Sequence, residues 1–412
     1  MTRNVDVLVV GAGSFGLNTA HHLVEAGLTV HVLERDRIAA ATSTCGAGFV
    51  GTWAAGMVHG LDAPEVEMEL YGADFYSRLH EERPTFALRK AGMLYYATDQ
   101  EGWDTRLRPI AESTLVPGAE VLDAKGCAER GMVLDADHIL GGVYHPQPIQ
   151  VVAAEAIRVL GESLRDRGVE IRERTAVTDL IVEGGRIVGV ETEAGRTMAD
   201  RVVLTTAVWT NLLLRGHAAP LPYAPLGAIR ITTEPLGLPE EMPMLMVPEV
   251  DAWIREEAGG FRWGGRYLGD HRMSLLDRDP PERFSELPTD WIGEMETLRR
   301  RLAKSIPPLA GYKDWTYAEG FPCYTPDKRP LLGPIPEIEG LFVIAGDGEM
   351  GITHGPGFGR ELARQVAGLP TGPGIAERYR PDRFGSEYGS PRQVADELRR
   401  RREELDEMAL ES

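Results

Sequence analysis

The sequence predicts an α/β fold in two lobes. One is a Rossmann-type domain with a doubly wound parallel sheet, assembled from separated segments. The other is an α+β lobe built on an antiparallel sheet. Three observations predict this. An apolar, β-branched run at residues 5–10 leads directly into Gly11-Ala-Gly13-Ser14-Phe15-Gly16, the strand, glycine turn and helix order of a nucleotide-binding βαβ unit. Runs of the same buried-strand type recur far along the chain at 201–206 and 340–345, so distant segments feed one parallel sheet. Residues 216–318 instead alternate like half-buried antiparallel strands.

Each part of the opening unit has a physical role. Residues 14–26 repeat apolar side chains at helical spacing, Gly27 ends that helix, and 29–33 is a second strand ending in Glu34. Gly11 allows the tight turn, Gly13 lets backbone approach a pyrophosphate, and Gly16 lets helix and strand pack closely. The helix N-terminus turns free N–H groups toward the phosphates. Glu34 stands where an acid accepts from a ribose diol and repels a 2′-phosphate, which disfavours NADP. The motif alone does not choose between FAD and NAD.

Residues 39–49 are small, hydroxylated and glycine-bearing: backbone that can lie against a flat ligand, or a plain surface loop. Residues 64–82 read as a helix with Val66, Leu70, Phe75 and Leu79 as its apolar stripe. Residues 91–97 read as a strand, 102–115 as a helix, and 123–132 and 141–145 as short pieces around turns. An amphipathic helix at 151–167 precedes strands at 169–172, 176–182 and 187–192, the last two joined by a Gly184-Gly185 hairpin turn. After 201–206, Val208-Trp209 opens a helix. Strands follow at 226–233, 242–247 and 261–267, then a charged helix at 288–304. The strand at 340–345 runs into a segment carrying Gly346, Gly348, Gly351, Gly355, Gly357 and Gly359, with 360–367 helical. Residues 355–359 thus read as a second helix start, free to face negative charge. The charged run 392–407 reads as an exposed helix, a solvated tail or a subunit contact.

The 412 residues carry a net charge of −19, which argues against nucleic acid or an anionic membrane as partner. The three cysteines, Cys45, Cys127 and Cys323, are widely spaced and suit reduced thiols in a cytoplasmic protein. No ligand spacing suggests a metal, and no run suggests a signal peptide or membrane span. An oligomer is compatible with the sequence.

Taken together, the glycine turn with Glu34, the 42–48 loop, the 185–190 hairpin, Val203 to Trp209, Thr325-Pro326-Asp327 with Pro330 to Gly333, the 346–359 segment and Pro381 to Phe384 resemble the D-amino-acid oxidase superfamily of FAD enzymes. That superfamily includes glycine oxidase, sarcosine oxidase and dimethylglycine dehydrogenase. The resemblance implies an FAD-binding domain from 1–55, 149–215 and 319–370, a substrate domain from 56–148 and 216–318, and a tail at 371–412. It implies oxidation of the C–N bond of an amine or amino acid, with a secondary or N-substituted amine preferred. Hydride passes to flavin N5 and an imine forms; oxygen or an electron carrier then takes the electrons.

The cofactor is expected among Gly11, Gly13, Ser14, Phe15, Gly16, Glu34 and Arg35, and along Thr42, Ser43, Thr44, Cys45, Gly46, Ala47 and Gly48. Ala176, Val177, Ala207 and Trp209 are expected there too, with Gly346, Gly348, Met350, Gly351, Ile352 and Thr353. The usual carboxylate-binding arginine of glycine oxidase is replaced by Pro322, and the lysine of sarcosine oxidase's last glycine loop by Thr353. The substrate is therefore expected against Arg230, Arg266, Tyr324 and His354, and Arg262 falls near sarcosine oxidase's oxygen-activating lysine. Cys45 fills the place of the histidine that bonds covalently to flavin in the dimethylglycine dehydrogenase branch; a packed thiol and non-covalent FAD are expected. Two other readings stand beside this one. Gly346-Asp347 resembles a pair in flavin monooxygenases, and a flavoprotein with a structural or binding role fits the same motifs.

Overall fold

The computed structural model describes residues 5–52, 63–115, 118–265, 292–411 and some positions between 276 and 286, with side chains as far as 401. Val7–Val10 lies inside a six-stranded sheet ordered Leu331–Pro334, Leu341–Ala345, Val202–Leu204, Val7–Val10, Val30–Leu33, Glu170–Arg172. Neighbours are parallel except the first pair. Val7 and Val9 bury against the helices Ser14–Glu25, Ala153–Asp166 and Gly351–Val366, while Leu8 and Val10 join a core shared with the other lobe. Both faces are covered, which is why the strand is apolar throughout. The chain leaves Val7–Val10 for Val30–Leu33 on one side and reaches Val202–Leu204 on the other. That makes a topological switch point, whose crevice lies at the carboxyl ends of the strands.

The second sheet has eight strands: Trp315–Gly320, Ala228–Thr233, Gly260–Gly265, Ala252–Glu257, Met244–Val247, Met93–Ala97, Gly141–His145, Glu120–Asp123. Its neighbours are antiparallel except Met244–Val247 with Met93–Ala97. Gly184 and Gly185 both take positive φ, 59° and 78°, in the hairpin turn. Among the described residues no helix is long and apolar enough to cross a membrane.

Several elements depart from the sequence reading. Ala124–Gly131 is a helix, not turns, capped by Asp123, which accepts from the Gly126 N–H at 2.7 Å. Ala252–Glu257 went unread because Arg255, Glu256 and Glu257 look like surface charges; in the fold they pair under cover. The helix Ala63–Glu82 packs into the nucleotide core, although 56–148 was expected in the second lobe. Leu70 of its expected stripe is 39% exposed, while Glu65 and Glu69 are fully buried. Glu65 accepts from Tyr379 Oη at 2.6 Å and Arg329 Nε at 2.9 Å, so the buried face is partly ionic. The last helix, Pro391–Glu411, is not wholly a solvated tail: Val394, Ala395 and Leu398 pack on Ala224, Leu226 and Tyr324.

Candidate functional site

A cavity of about 400 Å³ opens at the switch point, touching Val10, Leu33, Thr205 and Ala345 at the strand ends. Its floor is the turn Gly11, Gly13, Ser14 and Phe15, with Glu34 and Arg35 beside it. Gly11 has φ 106°, and a Cβ there would stand 2.8 Å from Thr205 Oγ1 and 2.9 Å from the Thr205 carbonyl oxygen. A Cβ on Gly16 would stand 1.9 Å from Gly11 O, so Gly16 serves packing and does not line the cavity. Glu34 accepts one backbone N–H on each carboxylate oxygen, from Ala12 and Asp36, both at 2.8 Å. Burial raises its pKa, and each oxygen keeps lone-pair capacity for a diol. The Arg35 guanidinium lies 4.2 Å over the Trp209 ring, and both line the cavity.

The 39–49 stretch is held in one shape. Thr42–Cys45 is a single helical turn. Ser43 Oγ accepts the Ser14 N–H at 3.2 Å, tying it to the glycine turn. From the sheet side, Arg230 donates to Thr44 O at 2.5 Å, and Arg262 donates to Thr44 O and Gly46 O, both at 3.1 Å. Arg255 and Arg262 stand directly opposite in register, and Glu257 pairs with both. Like charges so placed repel unless a counter-charge joins them. Burial, then the neighbouring Arg262, pushes Arg230 down to about 10 and Arg255 to about 9. Arg262 is thus engaged with loop carbonyls and Glu257, and neither it nor Arg230 lines the cavity. Arg266 lies outside the described residues.

Cys45 lines the cavity, and its Sγ donates to Glu319 O at 2.6 Å. Burial pushes the thiol up to about 11 against the pull of Arg230 and Arg262. It is a thiol at neutral pH and a poor nucleophile. A Cβ on Gly320 would sit 3.1 Å from Cys45 Cβ, so the glycine lets strand and helical turn touch.

The second helix begins at Gly351, not at 355–359. Its later glycines serve helix packing. A Cβ on Gly355 would lie 2.5 Å from Ser14 Oγ, one on Gly357 2.9 Å from Met68 Cα, and one on Gly359 3.0 Å from the Asn18 carbonyl carbon. Ser14 Oγ donates to Gly351 O at 2.6 Å, joining the two helix starts. Gly346, Gly348, Gly351 and Ile352 line the cavity. Met350 is fully buried, and Thr353 bonds both the N–H and the carbonyl of Gly51. His354, expected at the substrate, is fully buried between Asp347 and Glu69. Tyr324 Oη donates to Glu349 at 2.9 Å and is outside the lining. Thr44 and Ala176 are outside it too, although Ser43, Thr175 and Val177 are in it.

The roof comes from the second sheet: Ala228, Ile229, Met246, Asp251 and Trp253, with Phe49 below. Sequence reasoning missed these, because nothing local marks a roof residue as facing a ligand; Asp347, named there only for its likeness to a monooxygenase pair, lines the cavity as well. Away from the cavity, Glu25 bonds His22 Nδ1 at 2.7 Å and pairs with His21 at 3.2 Å, while Arg167 meets the other nitrogen of His21 at 3.1 Å.

A switch-point crevice with a pyrophosphate turn, closed by an antiparallel roof, defines a two-lobed dinucleotide-binding protein. The family follows from comparison: residues 6–365 match the model described as FAD dependent oxidoreductase, and the chain belongs to that family. It is 28% identical over 378 residues to 4-methylaminobutanoate oxidase (formaldehyde-forming) of Paenarthrobacter nicotinovorans, covering 90% of this chain and 44% of that one. It is 27% identical over 391 residues to the mitochondrial pyruvate dehydrogenase phosphatase regulatory subunit of Mus musculus, covering 90% and 42%. The chain thus spans less than half the length of these curated relatives. The fold matches crystalline L-proline dehydrogenase from P. horikoshii with TM-score 0.79 at 23% identity, covering 93% of this chain and 98% of that one.

The residues present fit FAD. The Gly11–Gly13 turn leaves room that a side chain would fill, Glu34 keeps acceptor capacity, and Arg35 with Trp209 offers a flat wall.

Proposed function

We propose that the protein oxidises the C–N bond of a small secondary or N-substituted amine or amino acid. The observation that carries this reading is the cavity itself: the nucleotide turn on one side faces a mostly apolar roof, Ala228, Ile229, Met246 and Trp253 with the single acid Asp251, on the other. FAD, when bound, supplies the hydride acceptor. The chain's own residues bind and orient. The turn and Glu34 hold the dinucleotide, the roof excludes water from the reacting carbon, and the clamped 42–48 loop fixes the wall between them. No histidine, lysine or tyrosine is among the described lining residues; the ionisable side chains there are Arg35, Cys45 and the carboxylates Glu34, Asp251, Asp347 and Glu349.

Oxygen or an electron carrier is the proposed acceptor. The unpaired Cys45, Cys127 and Cys323 support a reducing compartment such as the cytoplasm. The test is product analysis: each amine in a panel is turned over with oxygen or an artificial acceptor. Stoichiometric dealkylated amine and carbonyl product support the reading; none from any amine refutes it. A second reading, a binding or regulatory flavoprotein, draws on the relative named as a regulatory subunit. FAD bound tightly and never reduced by an amine would favour it.

A further inference from the structure

The cavity carries its charge unevenly. Glu34 and Arg35 stand together at the nucleotide turn. Asp347 is taken up by His354, whose ring nitrogens face Asp347 at 2.9 Å and Glu69 at 3.3 Å. Against burial, which lowers it, those two carboxylates raise the His354 pKa to about 10, so an imidazolium offsets Asp347. Two carboxylates remain at the roofed end: Asp251 in the roof, and Glu349 in the loop after the strand Leu341–Ala345. Among the described residues no lysine or arginine lines this end. Arg230 and Arg262 stand behind the 42–48 loop, donating to Thr44 O, Gly46 O and Glu257.

Both carboxylates are set in place by the fold, and an aromatic surface accompanies them. Asp251 ends the single turn Pro248–Val250 with φ 48° and donates its N–H to Pro248 O at 3.2 Å. Glu349 Oε1 accepts from Tyr324 Oη at 2.9 Å, and Tyr324 packs on Val394, Ala395 and Leu398 of the last helix. Trp253 lines the cavity two residues after Asp251, with Met246 as its cross-strand neighbour and Phe49 edge-to-face at 5.7 Å. Carboxylates beside an indole make a surface for an alkylammonium cation.

Oxidation of a C–N bond limits which nitrogen that cation can be. Hydride leaves the carbon as the lone pair of the attached nitrogen forms the C=N bond. A carboxylate beside that nitrogen would hold it as an ammonium, with no lone pair to give. The cation that suits Asp251 and Glu349 is therefore a second nitrogen that takes no part in the reaction. A substrate carboxylate in the same place would be repelled.

We propose, resting on the oxidative reading above, that the substrate is an N-alkylated diamine or polyamine without a carboxylate, and that Asp251 and Glu349 hold its second, non-reacting ammonium beside Trp253. The test follows anaerobic flavin reduction in the holoprotein by N-methyl amines of matched chain length that end in an ammonium, a methyl or a carboxylate. The parent should be reduced by the ammonium-ended amine at least about 10-fold more efficiently than by the methyl-ended one, and least by the carboxylate-ended one. Asp251→Asn and Glu349→Gln should each cut the ammonium-to-methyl ratio by about 10-fold, the size of one hydrogen bond to a charged group. Asparagine accepts the left-handed backbone at 251 as aspartate does. A chain-matched alkane with a trimethylammonium at each end has no lone pair and is not oxidised. By calorimetry it should bind the parent and lose a similar factor in both variants. Equal reduction by the methyl-ended amine, preference for the carboxylate-ended one, or a ratio that survives both substitutions overturns the proposal and leaves the oxidative reading standing. A variant slowed alike toward all three amines would make its carboxylate a proton acceptor instead, and also overturns it. If no amine of any charge reduces the flavin, the oxidative reading falls and the proposal with it.

Discussion

Replacing Gly13 by valine separates cofactor binding from folding. Gly13 has φ −82° and ψ −168°, extended backbone that valine adopts without strain. A Cβ there meets Ser43 Oγ at 3.2 Å and nothing else within 4 Å. A hydroxyl can yield a few tenths of an ångström, so the apoprotein should keep its stability to within about 1 kcal/mol. The added methyl groups fill the floor of the cavity and hold a pyrophosphate away from the turn. Losing two charge-assisted N–H bonds to phosphate costs about 3 kcal/mol, or about 100-fold in FAD affinity. Gly16→Ala is the opposite case. Its Cβ would lie 1.9 Å from Gly11 O and 2.7 Å from Thr205 Oγ1, a clash with backbone that side-chain motion cannot relieve. It should cost folding stability itself, about 3 kcal/mol. Urea unfolding and fluorescence titration of the deflavinated proteins read the two quantities separately. Gly13→Val protein that binds FAD as the parent does would refute the placement of the pyrophosphate.

Three further outcomes are expected. Acid precipitation should release the flavin to the supernatant, and Cys45→Ala should retain FAD, because a thiol pushed up to about 11 is almost wholly protonated at neutral pH; a flavin peptide containing Cys45 in the pellet contradicts this. His354 contributes stability that is fully present below its unfolded pKa of 6.5 and is lost as pH rises through about 10. His354→Gln should lower stability at pH 7 by about 3–5 kcal/mol and flatten this pH dependence in denaturant titrations; an unchanged slope would remove the imidazolium from the account. Arg262→Ala removes one of the two arginine bonds at Thr44 O and the arginine bond at Gly46 O. It should lower stability by about 2–4 kcal/mol and weaken FAD binding; an effect on amine affinity alone would mean that Arg262 faces substrate.

The nucleotide half was legible because its signals are local. The Val7–Val10 run, the positive-φ Gly11 and Glu34 each follow from short-range sterics or periodicity. The roof was legible only as a class of sheet. Its strand Ala252–Glu257 hides behind charges that become buried only when Arg255, Glu257 and Arg262 meet across strands. The same reason misplaced the charged candidates. Arg230, Arg262 and His354 suit a ligand site in one dimension, but the fold spends them on loop carbonyls and on Glu69 and Asp347. The 355–359 glycines read as a helix start facing negative charge because helix-packing glycines and anion-facing glycines share a composition; only contacts such as those to Ser14 and Met68 tell them apart.

The central claim is that a bound flavin takes electrons from a C–N bond. Anaerobic titration of the purified holoprotein with a panel of secondary amines and N-substituted amino acids, followed by the visible spectrum, tests it most directly. The account predicts that at least one of them bleaches the oxidised-flavin band completely, one equivalent of amine per flavin, with an imine or its carbonyl hydrolysis product recovered. A holoprotein whose flavin dithionite reduces but no amine does would contradict it.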